Sequence, residues 1–298
     1  MKSGFIALTG RPNVGKSTLI NKLTMEKVAI VSSKPQTTRD RIKGILTKGD
    51  VQYIFIDTPG IHKPLNLLGE YMTSAAISTL KDVDVILMIL DGTEEIGTGD
   101  GFVFERIDEA GRCPRIAVVN KIDKMTDEQM AAKKIEIEEK LGKFQDIVFI
   151  TAEYGININE LLEKIQRYLP DGVMYYPEDM YTDMPMYKMI TEIVREKILL
   201  NTKEEVPHSV AIEILNVQRR DNSKDRYDIN IYIERDSQKG ILIGKGGEML
   251  KKIGSEARVD IEKLLEKEIF LNLWVKVKEK WRKKKPFLKE MGYVLEQE

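Results

Sequence analysis

Short apolar runs alternate with amphipathic stretches through the first half of the chain. Residues 5–8 read as a buried strand, and 18–23 place leucines and isoleucine at helical spacing. Two brief strand patterns, 42–47 and 52–56, flank Lys48, Gly49 and Asp50, a hairpin signal. Helix and strand patterns then take turns: helix 68–80, strand 83–90, helix 100–110, strand 115–119, helix 127–141, strand 147–150 and helix 158–169. Strands separated by helices of this length predict a doubly wound, mostly parallel α/β sheet covered on both faces. The ligands of such a sheet sit beyond the strand C-terminal ends.

Periodicity breaks after residue 169, where Pro170, Asp171 and Gly172 precede a stretch rich in Tyr, Pro and acidic residues. This divides the chain into a first domain at 1–172, a linker at 173–185 and a smaller α+β domain at 186–298. In the second, 186–200 is helical, 210–217 and 227–233 alternate as strands joined by a turn at 221–224, 249–253 and 256–265 are helical, and 271–277 alternates again.

At 298 residues, with 32% charged and 42% hydrophobic positions, the composition suits two soluble domains. No apolar run reaches the length of a membrane span, and the first strand follows Met1 almost directly, so a cytoplasmic protein is expected. One cysteine rules out an internal disulfide, and two distant histidines, His62 and His208, argue against zinc or triad chemistry. The net charge of −1 hides an asymmetry: between 239 and 289, fifteen Lys and Arg stand against seven Asp and Glu. Such a stretch is a solvated basic face or a polyanion contact.

The strand-to-helix junction at 10–17 reads Gly10, Arg11, Pro12, Asn13, Val14, Gly15, Lys16, Ser17, followed by Thr18. This is the phosphate-loop pattern in its required context. Its main-chain N–H groups and the helix N-terminus converge on a triphosphate, Lys16 reaches the outer phosphates and Ser17 ligates magnesium. At the next strand end, Asp57 can hold the magnesium shell while Gly60 offers its N–H to the terminal phosphate. A third strand end carries Asn120, Lys121 and Asp123. One carboxylate can accept both the ring N–H and the exocyclic amine of guanine, a donor pair adenine lacks, so Asp123 selects the base. Lys121 lays its stem on the purine, Asn120 ties loops together, and the backbone of Thr151 and Ala152 contacts the guanine carbonyl. The polar stretch 32–40, without an apolar period, is a mobile loop supplying Thr38.

In the second domain Ile243, Gly244, Lys245, Gly246 and Gly247 open a helix bearing Lys251, Lys252 and Arg258. Small residues admit a sugar-phosphate backbone, and an adjacent apolar groove takes a few unpaired bases. A second phosphate loop is excluded, because no Ser or Thr follows Lys245 and the upstream glycine spacing is missing. The tail from Lys280 to Phe287, including Lys283 and Lys284, interleaves basic and aromatic residues. It reads as a solvated end, an RNA contact or a membrane-surface contact.

The ordered set of motifs resembles the translation-factor-like GTPases, and the phosphate loop with Thr37, Thr38, Arg39, Asp40 and the Asp57 to Gly60 motif is similar to the Era family. The glycine turn resembles a type II KH domain. The resemblance covers the whole chain. It implies hydrolysis of GTP to GDP, with Lys16, Thr38, Gly60 and Asn13 catalytic and Mg2+ on Ser17, Thr38 and Asp57. Thr38 is favoured over Thr37 because it directly precedes Arg39 and Asp40. Thr151 stands where the family usually has Ser. Ile61 stands where Ras-like enzymes carry the water-orienting glutamine, and it can form no hydrogen bond. Asn13 at its loop position implies a potassium ion that supplies the missing charge. The expected partners are single-stranded RNA, in particular the 3′ end of small-subunit ribosomal RNA, and the small ribosomal subunit during its assembly. Peripheral contact with an anionic membrane at the inner face of the cell membrane is also implied, and DNA is not expected. Two rivals are a nucleotide-gated RNA scaffold with incidental turnover and a membrane-associated signalling GTPase.

Overall fold

The computed structural model describes residues 1–32, 34, 37–61, 63–111, 113–203, 206–219 and 223–293. Parts of the expected mobile loop (Ser33, Pro35, Gln36) and of the turn at 221–224 (Asp221, Asn222), together with His62, lie outside them. The chain divides into two compact units, 1–64 with 69–184, and 65–68 with 185–298.

The first unit holds six strands: β1 (Lys2–Thr9), β2 (Ile42–Lys48), β3 (Val51–Asp57), β4 (Val85–Asp91), β5 (Arg115–Asn120) and β6 (Asp146–Phe149). They lie in the order β2-β3-β1-β4-β5-β6, and only β2 runs antiparallel to its neighbour. Its helices are α1 (Lys16–Thr24), α2 (Leu67–Lys81), α3 (Thr98–Glu109), α4 (Asp127–Lys140) and α5 (Ile158–Tyr168). Because successive strand residues point to opposite faces, the apolar runs feed two cores. Ile6, Leu8, Leu87 and Val118 pack with Leu19 and Ile20 of α1 and Leu161 and Ile165 of α5. Ala7, Met88 and Val119 pack on the other face with Ala76 of α2, Val103 of α3 and Ile137 of α4. Double burial leaves the C-terminal strand ends as the place where loops can gather.

The 173–184 stretch, set apart as a linker by sequence, is held along the first unit. Ile45 N–H donates to Tyr181 O (2.9 Å) and Thr182 Oγ1 to Lys43 O (2.7 Å). Gln52 Oε1 accepts from the N–H groups of Tyr175 (2.9 Å) and Tyr176 (3.1 Å). These long-range bonds to β2 and β3 leave no local periodicity to read.

The second unit contains α6 (Met186–Asn201), α7 (Val206–Ser209), β7 (Ala211–Gln218), β8 (Asp225–Ile233), α8 (Asp236–Ile243), α9 (Glu248–Leu265), β9 (Ile269–Val277) and α10 (Lys285–Glu290). Its three strands run β7-β8-β9, with β7 antiparallel and β9 parallel to β8. Ile229 and Ile231 of β8 meet Ile190 and Val194 of α6 and Ile253 and Ala257 of α9 in one core. Two expected helices are one: α9 passes through Gly254 without a break, its tertiary packing outweighing the roughly 1 kcal/mol glycine penalty. Among the described residues no helix is long and apolar enough to cross a membrane.

Glu136 on α4 fastens that helix to the loop before α3, accepting from Lys133 Nζ (2.6 Å), Lys140 Nζ (2.8 Å) and Ile96 N–H (2.9 Å). Burial alone would raise its carboxyl, but these three donors outweigh it and pull it from 4.5 down to about 2. The folded state therefore holds the charged form more tightly than the unfolded chain does. That stabilisation is complete above pH 4.5 and fades as pH falls toward 2. In thermal unfolding, Glu136→Gln is expected to be less stable than the parent at pH 7 by at most about 1 kcal/mol. The gap should shrink as pH falls from 4.5 through 2, and a gap that does not shrink over that range would remove the charge as its origin.

Candidate functional site

β1 ends in a loop that only particular residues can form. Gly10, Asn13 and Gly15 all have positive φ, and a Cβ on Gly15 would fall 2.2 Å from Asn120 Nδ2. Gly15 caps α1, so the helix N-terminus faces the same space as the loop N–H groups. Lys16 is almost fully buried and donates from Nζ to Gly10 O (3.1 Å) and Arg11 O (2.9 Å). Burial lowers its pKa to about 8, against the opposing pull of Asp57.

Three oxygens meet at the end of β3. Ser17 Oγ donates to Asp57 Oδ2 (2.7 Å), Thr38 Oγ1 donates to the same atom (3.1 Å), and the two hydroxyls are 2.9 Å apart. Thr37 does not join them, since its hydroxyl donates to Lys34 O (2.6 Å). Burial pushes the Asp57 carboxyl up, and Lys16, Ser17 and Thr38 oppose the shift. Its second oxygen, Oδ1, is buried with no hydrogen-bond partner among the described residues.

From β5, Asn120 donates Nδ2 to Val14 O (2.9 Å), and its Oδ1 accepts from the N–H groups of Lys121 (2.9 Å) and Ala152 (3.0 Å). Lys121 Nζ donates to Asn13 O (3.3 Å). Thr151 does more than present backbone: its hydroxyl donates to Asp123 Oδ1 (3.0 Å) and accepts from Asp123 N–H (3.2 Å). A side-chain hydroxyl at 151 thus aims the Asp123 carboxylate, and either Ser or Thr supplies it. Asn13, Lys16, Ser17, Thr38, Gly60 and Asp123 are among the residues lining a cleft of ≈ 460 Å³.

Two residues of the phosphate loop turn their side chains away from the cleft. Val14 is buried in the core. Arg11 turns its guanidinium to Asp100 Oδ1 (2.9 Å) and Glu94 Oε2 (2.6 Å) because both carboxylates flank the loop there. The same segment reaches the base loop: Asp91 pairs with Lys121 Nζ and accepts from Thr93 N–H (3.0 Å). Burial opposes ionisation of Asp91, yet Lys121 and Thr93 hold its carboxyl below the usual range. Asp91, Glu94 and Asp100 were invisible in the sequence because each acts on a partner at least thirty positions away. Asp91 at a strand C-terminal end was the one available hint.

In the second unit Gly244, Gly246 and Gly247 all adopt positive φ, and the turn is closed by Gly244 N–H to Gly240 O (2.9 Å) and Gly247 N–H to Gly244 O (3.2 Å). Lys245 and Gly246 stand exposed at its tip, with Lys251, Lys252 and Arg258 exposed along α9 and Ile243 and Gly247 half-buried beneath. The tail is anchored: Trp281 is buried and donates Nε1 to Ser209 O (2.7 Å), while Arg282 pairs with Glu234 (2.5 Å). Lys283 and Lys284 therefore project, exposed, from a fixed turn, Trp281–Lys283, and the start of α10.

The chain is 66% identical over 296 residues to GTPase Era of Fusobacterium nucleatum, covering 99% of this chain and 100% of that protein. The chain belongs to the Era family of GTPases. Era of Alkaliphilus metalliredigens is 48% identical over 294 residues, covering 98% and 99%. A family model described as 50S ribosome-binding GTPase matches residues 5–121, and one described as KH domain matches 205–282. Two solved Era structures superpose with a TM-score of 0.95 at 40% identity, each covering 99% of this chain and 100% of its own. One is a variant of Aquifex aeolicus Era bound to GDP·AlF4−, and the other is Era with MgGDPNP and nucleotides 1506–1542 of 16S ribosomal RNA. Like other Era proteins, this chain is a GTPase.

Asp91→Asn removes the charge that fixes Lys121 without touching the cleft itself. Fluorescent GDP binding should weaken about tenfold, in line with a partly buried charged hydrogen bond. Unchanged affinity would show that Asn13 O alone holds the lysine.

Proposed function

We propose that this Era-family GTPase is a Mg2+-dependent switch whose KH domain holds single-stranded RNA from the 3′ end of small-subunit ribosomal RNA during assembly of that subunit. The observation that carries the nucleotide half is the convergence of the phosphate loop, Thr38, Gly60, Asn120, Lys121 and Asp123 on one cleft, with Asp57 hydrogen-bonded behind Ser17 and Thr38. Magnesium suits the three hard oxygens of Ser17, Thr38 and Asp57, and Asp57 Oδ1, without a hydrogen-bond partner among the described residues, marks unused acceptor capacity there. When bound it would neutralise phosphate charge. Lys16 places a cation against the outer phosphates, and the Gly60 N–H adds a donor for the terminal one. Binding and release of that phosphate would order and free the loops at Thr38 and Gly60.

Ile61 is buried in the core packed by Ala76 and Ile86, so it takes no part in orienting water. Asn13, at the cleft with positive φ, supports a potassium ion in that role. Multiple-turnover hydrolysis should run several-fold faster in potassium than in sodium at equal ionic strength. Asn13→Ala should erase the difference while GDP still binds, and equal parental rates in both salts would dismiss the ion.

The RNA half is supported by the exposed Lys245–Gly246 tip above a basic helix and by the 16S ribosomal RNA fragment bound to a solved relative. Lys245→Asp with Gly246→Asp sets two negative charges where phosphates approach, and aspartate tolerates the left-handed backbone of the tip. Affinity for that ribosomal RNA segment should fall more than about tenfold, with circular dichroism and basal GTP hydrolysis unchanged. Parental affinity in a folded variant would overturn the assignment. It would favour the membrane-associated reading of the KH domain, testable by sedimentation with anionic vesicles.

A further inference from the structure

The sheet of the second unit buries one face against helices, and among the described residues only the tail around Phe287 packs on the other. Ile229, Ile231, Leu271, Leu273 and Val275 point into the core with α6 and α9. The alternate positions point outward, where parallel register pairs Arg226 with Phe270, Asp228 with Asn272, Asn230 with Trp274 and Tyr232 with Lys276. Phe270 is 53% exposed and Trp274 54%. They lie four positions apart along the strand, about 13 Å.

What surrounds the two rings is not apolar. Glu213 Oε2 accepts from Tyr232 OH (2.7 Å) and Asn230 Nδ2 (3.2 Å), and Asp228 Oδ1 accepts from Arg226 Nε (3.1 Å) and Asn272 Nδ2 (2.8 Å). Both outward carboxylates are thus consumed within the face, while Lys276 stands exposed. Lys224 Nζ lies 5.8 Å from the Phe270 ring centroid and also pairs with Glu268 (3.0 Å). At the other end the tail joins the same face: Phe287 packs edge-on against Tyr232, with ring centroids 5.1 Å apart, and exposed Lys283, Lys284 and Lys285 precede it.

Projecting aromatic rings, exposed lysines and spent carboxylates describe a surface for a polyanion with flat faces. A protein docking patch would instead be expected to join the aromatics in an apolar, charge-poor centre. We propose that this outward face is a second single-stranded RNA surface, on which Phe270 and Trp274 each stack an unpaired base while Lys276 and the tail lysines meet phosphates. It rests on the RNA-binding reading above and lies on the side of the sheet opposite the helices that carry the glycine turn.

Trp274 makes the test direct, because the second of the chain's two tryptophans, Trp281, is fully buried. Titrating the full chain with the 1506–1542 segment of 16S ribosomal RNA should quench the Trp274 emission. Phe270→Ala with Trp274→Ala should lower affinity by about tenfold or more, whereas Trp274→Phe, which keeps a stacking ring, should stay within about twofold of the parent. Basal GTP hydrolysis should be unaffected, since neither residue belongs to the phosphate or base loops. The Lys245→Asp, Gly246→Asp variant should still show the quench at saturating RNA. If the double alanine variant binds like the parent, or saturating RNA leaves Trp274 emission unchanged, while the glycine-turn variant loses affinity, the outward face is not an RNA surface and the KH reading stands. Parental protein without RNA affinity removes both. Loss of co-sedimentation with small subunits at parental RNA affinity would assign the face to a protein and overturn the proposal.

Discussion

One side-chain amide holds the nucleotide site together. Asn120 spends both ends on main-chain groups from three places in the chain, the carbonyl of Val14 and the N–H groups of Lys121 and Ala152. The Val14 carbonyl and the Ala152 N–H are buried groups that would otherwise lack these partners, at about 1–3 kcal/mol apiece. The bonds are mutually dependent: the phosphate loop passes so close to this amide that residue 15 can carry no Cβ. The residue that ties these main-chain groups together therefore decides where the nucleotide-binding loops can be. Around it, Arg11 with Asp100 and Lys121 with Asp91 brace the same loops from the outside.

The sheet and the cleft were largely legible in the sequence, for a physical reason. A parallel strand buried on both faces must be an unbroken apolar run, and the polar residue that ends it must lie at the site edge. Thr9 before Gly10, Asp57, Asn120 and Thr151 all mark such endings. The Asp57 cluster was readable as chemistry for the same reason, although the choice between Thr37 and Thr38 depended on where each hydroxyl points. The braces were not readable. Glu94 and Asp100 look like ordinary surface acids in sequence, and their meaning comes from Arg11, more than eighty positions earlier.

The second unit shows the complementary limit. Its glycine turn announces itself, since three positive-φ glycines in four positions leave few alternatives. Helix α8 does not, because its eight residues, Asp236–Ile243, carry two glycine-flanked isoleucines and bury little besides Leu242 and Gln238. The basic tail shows how far charge counting goes. Lysines alone read equally well as a solvated end, yet Trp281 and Phe287 beneath them convert the segment into a rigid part of the domain.

The hydrogen bonds between residues 181–182 and β2 carry a consequence for association. β2 is an edge strand, and an open edge is a template for pairing with another chain. The main chain of Tyr181 and the hydroxyl of Thr182 occupy that edge at Ile45 and Lys43. The stretch leading out of the first unit thus also works as its guard against edge-to-edge aggregation. A GTPase domain ended at residue 172 would keep every nucleotide ligand and lose its protection from other copies of itself.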